Sequence, residues 1–275
     1  GAAALTLLLG GLAALLALPG LALEGQATQG GLVQGQTQPG AEVALDGNPV
    51  RVWPDGRFLI GFGRDAPPEA ALRVVLPDET VIERTLPVTQ REFRVQRIDG
   101  LPPSRVKPPP EVGERIRREA QLVREAREQL SDRADYAAGF AWPLTGRISG
   151  VYGSQRILNG EPRQPHYGVD VARPTGTVVS APAPGIVTLV EPDLYYSGGT
   201  LIVDHGRELS STFIHLSRIL VAVGDRVGAG DPIAEVGATG RATGPHLDWR
   251  MNLGDVRLDP ALLAGPMPET APDKP

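Results

Sequence analysis

Two short stretches of this chain carry the side chain types that bind divalent metal ions. His166 and Asp170 lie in the first stretch, and His246 and Asp248 lie in the second, about eighty residues later. Successive side chains of a β-strand alternate between two faces, so each stretch would present an imidazole and a carboxylate on one face. The opposite, apolar face would carry Tyr167, Val169, Val171, Leu247, Trp249 and Met251. Imidazole nitrogens and carboxylate oxygens are ligands of zinc and similar ions, so we predict a metal site.

Histidines are scarce in this sequence, which makes their positions informative. The chain has four histidines, and a third one, His215, lies in the segment Phe-Ile-His-Leu. A single histidine on a strand is more often part of a solvated polar face than a metal ligand, but three in suitable contexts strengthen the prediction of a site. The fourth, His205, stands between a strand and a turn, where we expect a hydrogen-bonded structural role.

The segments HYGVD, FIHL and GATGRATGPHLD together resemble the LytM-type zinc metallopeptidases of peptidase family M23. The resemblance implies that His166 and Asp170 bind zinc and that the third ligand stands at Asp248. It implies that His215 and His246 act as the general-base or oxyanion-stabilising pair. The activity implied is that of a zinc metalloendopeptidase that hydrolyses peptide cross-links of bacterial peptidoglycan.

Asp248 departs from the family pattern, which has a histidine at this place. A carboxylate is an admissible zinc ligand, with oxygen distances of about 2.0–2.2 Å. Two carboxylates would neutralise the ion, weaken its Lewis acidity and favour harder metals. Three interpretations stay open: an active enzyme, a non-catalytic LytM-like regulator that activates a cell-wall amidase or envelope complex, and a plain peptidoglycan-binding anchor.

Composition restricts the class of protein. The 275 residues leave room for one or two domains, and the net charge of −5 gives no basic field for nucleic acid. The absence of cysteine excludes disulfides and thiolate metal sites.

The first 23 residues are apolar and carry no charge before Glu24. This pattern predicts a signal peptide or a membrane anchor, and membrane contact through this segment alone. Either interpretation places the protein in the periplasm or cell envelope.

We predict a mainly β chain built from several parts. Turn signals between short apolar runs indicate an immunoglobulin-like β-sandwich, and the resemblance implies an antiparallel β peptidase domain of the duplicated-hybrid-motif type. The predicted order is a leader at 1–23, the sandwich at 24–98, a Pro-rich linker at 99–110, an amphipathic helix at 111–133, the peptidase domain at 138–265 and a disordered tail at 266–275.

The predicted helix is defined by an apolar stripe with a period near 3.6 residues. The stripe consists of Val112, Ile116, Ala120, Val123, Ala126 and Leu130. The pairs Glu111–Arg115 and Glu114–Arg118 are expected to support its start.

Overall fold

The computed structural model describes residues 15–18, 20–99 and 110–269. The chain forms two compact units. The first contains Leu32–Ile60, Pro67–Thr89 and the described residues up to Thr28. The second contains Gln29–Gly31, Gly61–Ala66 and the described residues from Gln90 onward, so short segments of the N-terminal third belong to the C-terminal unit.

Parts of three predicted segments lie outside the described residues. These are residues 1–14 and 19 of the predicted leader, 100–109 of the Pro-rich linker and 270–275 of the tail. The described part of the leader forms strands, in which Leu21 and Leu23 are buried. No helix among the described residues is long and apolar enough to cross a membrane.

The first unit contains two four-stranded sheets, with strand orders β1-β2-β3-β6 and β5-β4-β7-β8. Their strands are β1 (Leu15–Leu18), β2 (Leu21–Gly25), β3 (Leu32–Thr37), β4 (Glu42–Leu45), β5 (Asn48–Val50), β6 (Arg57–Gly61), β7 (Glu69–Val75) and β8 (Val81–Pro87). Strand β7 shows the alternation that forms the core, since Ala70, Leu72 and Val74 are buried between exposed neighbours.

The second unit is built on an eight-stranded sheet in the order β10-β13-β21-β17-β16-β15-β19, with β22 paired to β21. Two three-stranded sheets, β12-β11-β9 and β14-β20-β18, complete it. The strands are β9 (Val95–Ile98), β10 (Arg147–Gly150), β11 (Gln155–Leu158), β12 (Glu161–Pro162), β13 (Val169–Ala172), β14 (Val178–Ser180), β15 (Gly185–Leu194), β16 (Gly198–Asp204), β17 (Leu209–Leu216), β18 (Arg218–Ile219), β19 (Arg226–Val227), β20 (Pro232–Glu235), β21 (Leu247–Leu253) and β22 (Val256–Leu258). The helices are α1 (Gly113–Arg127) and α2 (Pro260–Ala264), with 3-10 turns at Pro110–Val112 and Asp135–Ala138. The prediction of a mainly β chain is confirmed.

One face of the large sheet packs into an apolar core, as the period-two alternation of β21 predicted. Leu247, Trp249 and Met251 of β21 are fully buried, and the Trp249 ring meets Trp142 edge-on at 5.7 Å. The polar residues between them therefore point to the other face of the same sheet, where the predicted site lies.

Helix α1 ends earlier than the predicted residue 133. It stops at Arg127, because the residues that follow bond to other parts of the chain. Arg207 N donates to Ser131 O at 2.9 Å, and Arg133 pairs with Asp135 and Asp204. These tertiary contacts replace further helical turns.

The helix packs on β15 and β16 through part of the predicted stripe. Ala126 forms a buried cluster with Leu189 and Ile202, and Val123 packs against it. The prediction of the apolar stripe is wrong at two positions, since Ala120 is exposed and Leu130 is 62% exposed.

Glu119 takes a buried position on this side of the helix. Its Oε1 accepts from Arg115 Nε at 2.6 Å, and its Oε2 accepts from Tyr195 N at 2.8 Å. Arg115 therefore pairs forward with Glu119 and also with Asp193, where the sequence predicted a pair with Glu111. A buried carboxylate on a helix is stable only with such partners.

Candidate metal centre

His166, Asp170 and Asp248 converge at the junction of β13 and β21. Asp170 and Asp248 are directly opposite each other in the antiparallel register. His166 Nε2 lies 3.0 Å from Asp170 Oδ1 and 3.3 Å from Asp248 Oδ2. One ligand atom from each side chain lies within 4.8 Å of the others. The three residues predicted as ligands are thus brought together.

The two distances from His166 Nε2 are compatible with ligands of one zinc ion. Ligands at about 2.0–2.1 Å from zinc stand roughly 3.3 Å from one another, close to both His166 distances. Asp170 Oδ1 is buried and, apart from the ion-pair contact with His166 Nε2 at 3.0 Å, accepts no hydrogen bond from the described residues. Because an unpaired buried carboxylate oxygen is costly, a cation at this point would stabilise it.

Hydrogen bonding fixes the orientation of the His166 ring. Its Nδ1 lies 3.2 Å from Val151 O. A carbonyl oxygen only accepts, so Nδ1 carries a proton and Nε2 faces the two carboxylates. Burial alone would lower the pKa of His166, but the hydrogen bonds and charges of Asp170 and Asp248 raise it to about 10. A proton on Nε2 thus occupies the position that a metal ion would take.

Two glycines leave room for the carboxylates. A Cβ atom at Gly150 would collide with the Asp170 carboxylate, and one at Gly168 would collide with Asp248 Oδ1. Any larger residue at either position would displace a ligand, which explains why glycine precedes β13 at 168 and ends β10 at 150.

Arg250 is a site residue that the sequence reasoning missed. Its Nε donates to Asp248 Oδ1 at 2.9 Å, and its Nη2 donates to Asp248 Oδ2 at 2.6 Å. Burial would raise the pKa of Asp248, but the Arg250 charge and the His166 and Arg250 hydrogen bonds hold it well below its usual range. The available signal was the same alternation, since residue 250 shares a face with residue 248.

Asp248 keeps capacity for a metal ion despite this pairing. Each carboxylate oxygen has two lone pairs, and Arg250 uses one on each. Asp248 is 2% exposed, so its geometry is fixed by the sheet and by Arg250 together. Its donor atoms therefore fit zinc, with a neighbouring cation that offsets one carboxylate charge.

The second pair of predicted residues, His215 and His246, stands beside the ligands. Their ring centroids are 4.8 Å apart, and His246 Nε2 lies 3.8 Å from Asp170 Oδ1. His215 Nδ1 donates to Thr239 O, and His246 Nδ1 donates to Gly244 O, both at 2.8 Å. Nδ1 therefore carries a proton in each ring, and Nε2 is the nitrogen left for proton transfer. Burial lowers the pKa of His215, which keeps this ring neutral at pH 7.

A β-bulge turns His215 toward the site. Gly199 pairs with Leu216 and Leu201 pairs with Phe213, so the register shifts between these pairs. His215 has φ of 66°, a left-handed conformation. Regular alternation would place the His215 side chain on the apolar face together with Phe213. The extra residue of the bulge turns the His215 side chain to the opposite face.

His205 has the structural role expected of it. It is fully buried, with Nδ1 2.7 Å from Pro184 O and Nε2 2.7 Å from Ser211 Oγ. Burial lowers the pKa of His205 to about 4. Both ring nitrogens are thereby satisfied within the fold.

The site segment matches one known family. The profile of peptidase family M23 matches residues 164–260. A crystal structure of a Pseudomonas aeruginosa protein assigned to peptidase M23 is 30% identical, with a TM-score of 0.66. That alignment covers 87% of this chain and 96% of the other.

Curated relatives match over the same part of the chain. Peptidoglycan DD-endopeptidase ShyA of Vibrio cholerae is 33% identical over 129 residues, which are 46% of this chain and 30% of ShyA. DD-carboxypeptidase/endopeptidase Mpg of Neisseria meningitidis serogroup B is 37% identical over 110 residues, 40% of this chain and 25% of Mpg. The chain thus spans less than a third of the length of these relatives.

Proposed function

The chain belongs to peptidase family M23, and from this premise we propose that it is a zinc metalloendopeptidase acting on peptide cross-links of bacterial peptidoglycan. The observation that carries the proposal is the convergence of His166, Asp170 and Asp248 with two further imidazoles on one sheet face. A rigid sheet suits this task because it holds ligands more accurately than loops do.

The proposed substrate is a D,D-cross-link between wall peptides, and the proposed location is the cell envelope. ShyA, which is named a peptidoglycan DD-endopeptidase, and Mpg, which is named a DD-carboxypeptidase/endopeptidase, support this choice. The apolar, uncharged N-terminal segment is consistent with export, either as a signal peptide or as an anchor.

Zinc would be held by the side chains of His166, Asp170 and Asp248. When bound, zinc supplies Lewis-acid polarisation of the scissile carbonyl and lowers the pKa of a water molecule. His166 must give up its Nε2 proton for this, so we expect metal binding to strengthen as pH rises.

His215 and His246 move the proton. Each carries an Nε2 lone pair because Nδ1 donates to a backbone carbonyl, so either ring can accept a proton from the attacking water. Once protonated, Nε2 becomes a donor to the tetrahedral oxyanion. The neutral His215, whose pKa is lowered by burial, suits the base role.

The test uses the purified chain. Its zinc content is measured by mass spectrometry, and isolated sacculi are digested with the parent and with His246→Ala. We expect one zinc per chain, muropeptide release by the parent, and zinc retention without release by the variant. No release by the parent, with or without added zinc, would refute the enzymatic proposal.

The bidentate pairing of Arg250 with Asp248 favours one second candidate, a non-catalytic LytM-like activator of a wall amidase. A carboxylate already paired with a guanidinium attracts a cation less strongly. Asp248→His separates the two: an inert parent without zinc and a zinc-binding variant would support this candidate, whereas stoichiometric zinc in the parent would oppose it.

A further inference from the structure

Arginines from two elements meet on the sheet face that carries the metal centre. Arg250 of β21 stands directly opposite Thr212 of β17. Arg127, the last residue of α1, donates from Nη2 to Thr212 Oγ1 at 3.2 Å. The shared neighbour places both guanidinium groups on the same face, beside Asp248.

A third arginine extends this surface along β22. Arg257 pairs in register with Asn252, which lies two residues after Arg250 and therefore on the same face. Its Nη1 donates to Asn252 Oδ1 at 3.2 Å, and its guanidinium lies 5.7 Å from the Tyr167 ring centroid. We call Arg127, Arg250 and Arg257 the arginine cluster.

The cluster carries more positive charge than its surroundings compensate. Burial, together with the charges of Arg257 and Arg250, lowers the pKa of Arg127 to about 9, while the charge of Asp255 acts against this shift. Arg250 already neutralises Asp248, which would also face the metal ion. A cation bound at the metal centre would therefore leave a surplus of positive charge beside it.

Unsatisfied polar atoms lie on the same surface. In the described part of the chain, Arg127 Nε and Ser210 Oγ are buried and have no hydrogen-bond partner. Ser210 is 1% exposed and stands opposite Asn252, on the face of the cluster. These two atoms are closed off from solvent, but the side chains of Arg127, Arg250 and Arg257 each remain partly exposed. The exposed parts of the guanidinium groups are therefore the donors that an anionic acceptor would reach.

A carboxylate is the anion that fits best. The planar guanidinium fork binds a carboxylate through two parallel N–H···O bonds. A peptide laid across the metal centre would bring its own acidic groups to this surface. We propose that the arginine cluster is a subsite that binds a free carboxylate of the substrate peptide, close to the scissile bond. This inference rests on the proposed peptidase function, because it assigns the substrate's position beside the candidate metal centre.

The subsite selects between two forms of one substrate. A cross-linked peptide with a free carboxylate next to the scissile bond should bind more tightly than the same peptide with a carboxamide there. The difference should be about tenfold, as expected for one charge-assisted hydrogen-bonded pair. The selectivity should not depend on turnover, since the cluster is separate from His215 and His246.

Binding is measured by titration calorimetry with these two synthetic peptides. The zinc-loaded His246→Ala protein serves as the background so that neither peptide is consumed. Arg127→Ala and Arg257→Gln, added to this background, should each remove most of the preference for the carboxylate. Arg124→Ala is the matched control, because Arg124 lies in the same last turn of α1 but is exposed, and it should keep the preference. Arg127→Lys, which retains the charge without the fork, should restore part of it.

The outcomes separate this proposal from the peptidase function. Equal affinity for both peptides, no binding of the carboxylate form, or an unchanged preference in both arginine variants would overturn the subsite. If the wild-type protein cleaves both peptides and the calorimetric affinities for the two are equal, the peptidase function stands and the subsite fails. If it cleaves neither but prefers the carboxylate, the subsite stands and the peptidase function fails.

Discussion

At the scale of single residues, Arg250 determines how much negative charge Asp248 offers to a metal ion. The pair forms two hydrogen bonds at 2.9 and 2.6 Å within a site where Asp248 is almost inaccessible to solvent. The sheet therefore satisfies this carboxylate before any ion arrives. A histidine at position 248 would need no such partner, so Asp248 and Arg250 are best understood as one unit.

We expect Arg250→Met to destabilise the metal-free protein by about 3 kcal/mol, because it leaves a buried carboxylate without its main partner. Urea unfolding in EDTA measures this loss. Added zinc should restore more stability to the variant than to the wild type, since zinc then replaces the missing cation. Arg147→Met, at an exposed position of β10, is the control and should change stability by less than about 0.5 kcal/mol. Equal zinc stabilisation of variant and wild type would argue against the pairing described.

His205 gives the fold a defined sensitivity to acid. Its pKa is about 4 in the folded protein because burial disfavours the charged ring, against about 6.5 in an unfolded chain. The unfolded state therefore takes up a proton first as pH falls. The stability contribution is complete above pH 6.5 and is lost progressively toward pH 4.

The prediction is that wild type loses about 3 kcal/mol more stability than His205→Gln between pH 7.5 and pH 4. Glutamine keeps a donor and an acceptor but cannot titrate. Urea unfolding of both proteins in EDTA checks the difference while excluding metal loss. Parallel losses in the two proteins would show that His205 does not cause the acid sensitivity.

Some residues of the site were predictable and others were not. Alternation predicted Asp170 and Asp248 on one face, and they stand opposite each other on β13 and β21. His166 was predicted on the same strand, but it lies three residues before β13, so its convergence with the two carboxylates depends on the bend at Gly168 and not on alternation. His215 could not be placed in this way, because its direction depends on a bulge that breaks the alternation. Only the resemblance to a known family assigned it to the site.

At the scale of elements, helix α1 supports the site through the turn between β15 and β16. Glu119 accepts from Tyr195 N, and two residues later Ser197 O accepts from His215 N at 2.8 Å. Gly199 N donates to Thr239 Oγ1, whose backbone carbonyl holds the His215 ring. The helix thus contacts the segment that fixes the position of the proposed base.

We expect Glu119→Ala to cost about 2 kcal/mol, because the Tyr195 N–H and the Arg115 guanidinium lose a buried partner. The Tyr195 amide should also exchange its hydrogen faster. Thermal unfolding and hydrogen exchange measure both effects.

Glu125→Ala is the control for this change. Its carboxylate accepts from Gln121 on the exposed side of the same helix, so its removal should have little effect. A Glu119→Ala protein with unchanged Tyr195 exchange would contradict the proposed link.

The end of α1 shows what helical periodicity cannot reveal. The period of the apolar residues predicted a helix to residue 133. It also predicted that Ile116, Val123 and Ala126 face the protein interior, and these three side chains are buried or partly buried. The chain leaves the helix after Arg127 because Ser131 and Arg133 bond to the turn after β16. Tertiary bonds of this kind leave no signal in local sequence.

At the scale of the whole molecule, the C-terminal unit is assembled from separate parts of the chain. Arg91 Nη1 donates to Gln29 O at 3.0 Å and pairs with Asp259 at 2.8 Å. Asp259 N donates to Gly30 O at 2.8 Å, and Arg64 Nε donates to Gly153 O at 2.7 Å. Residues far earlier in the sequence therefore complete the unit that carries the candidate metal centre.

A fragment of residues 90–275 should fold less stably than the full chain. It lacks Gln29–Gly31 and Gly61–Ala66, so several partly buried hydrogen bonds of about 1 kcal/mol each are lost. For a unit of this size we expect a melting temperature lower by about 10 °C. Calorimetry of both proteins checks this, and Arg91→Ala in the full chain should reproduce part of the shift. Equal melting temperatures would show that these segments are dispensable.

Composition and pattern anticipated the broad architecture but not this interleaving. A mainly β chain with a sheet-borne site followed from turn signals and alternation. The participation of residues 29–31 and 61–66 in the second unit did not follow from them. Hydrogen bonds between segments distant in sequence depend on the tertiary structure and leave no local pattern.

The left-handed backbone at His215 means that the chain gives up stability to keep an imidazole there. A side chain at φ of 66° costs about 1 kcal/mol relative to glycine. His215→Gly should therefore abolish turnover and lower the melting temperature less than His215→Ala does, because both variants lose the buried ring and its hydrogen bond to Thr239 O but only glycine relieves the left-handed backbone. Equal melting temperatures of the two variants would show that the backbone at this position carries no strain.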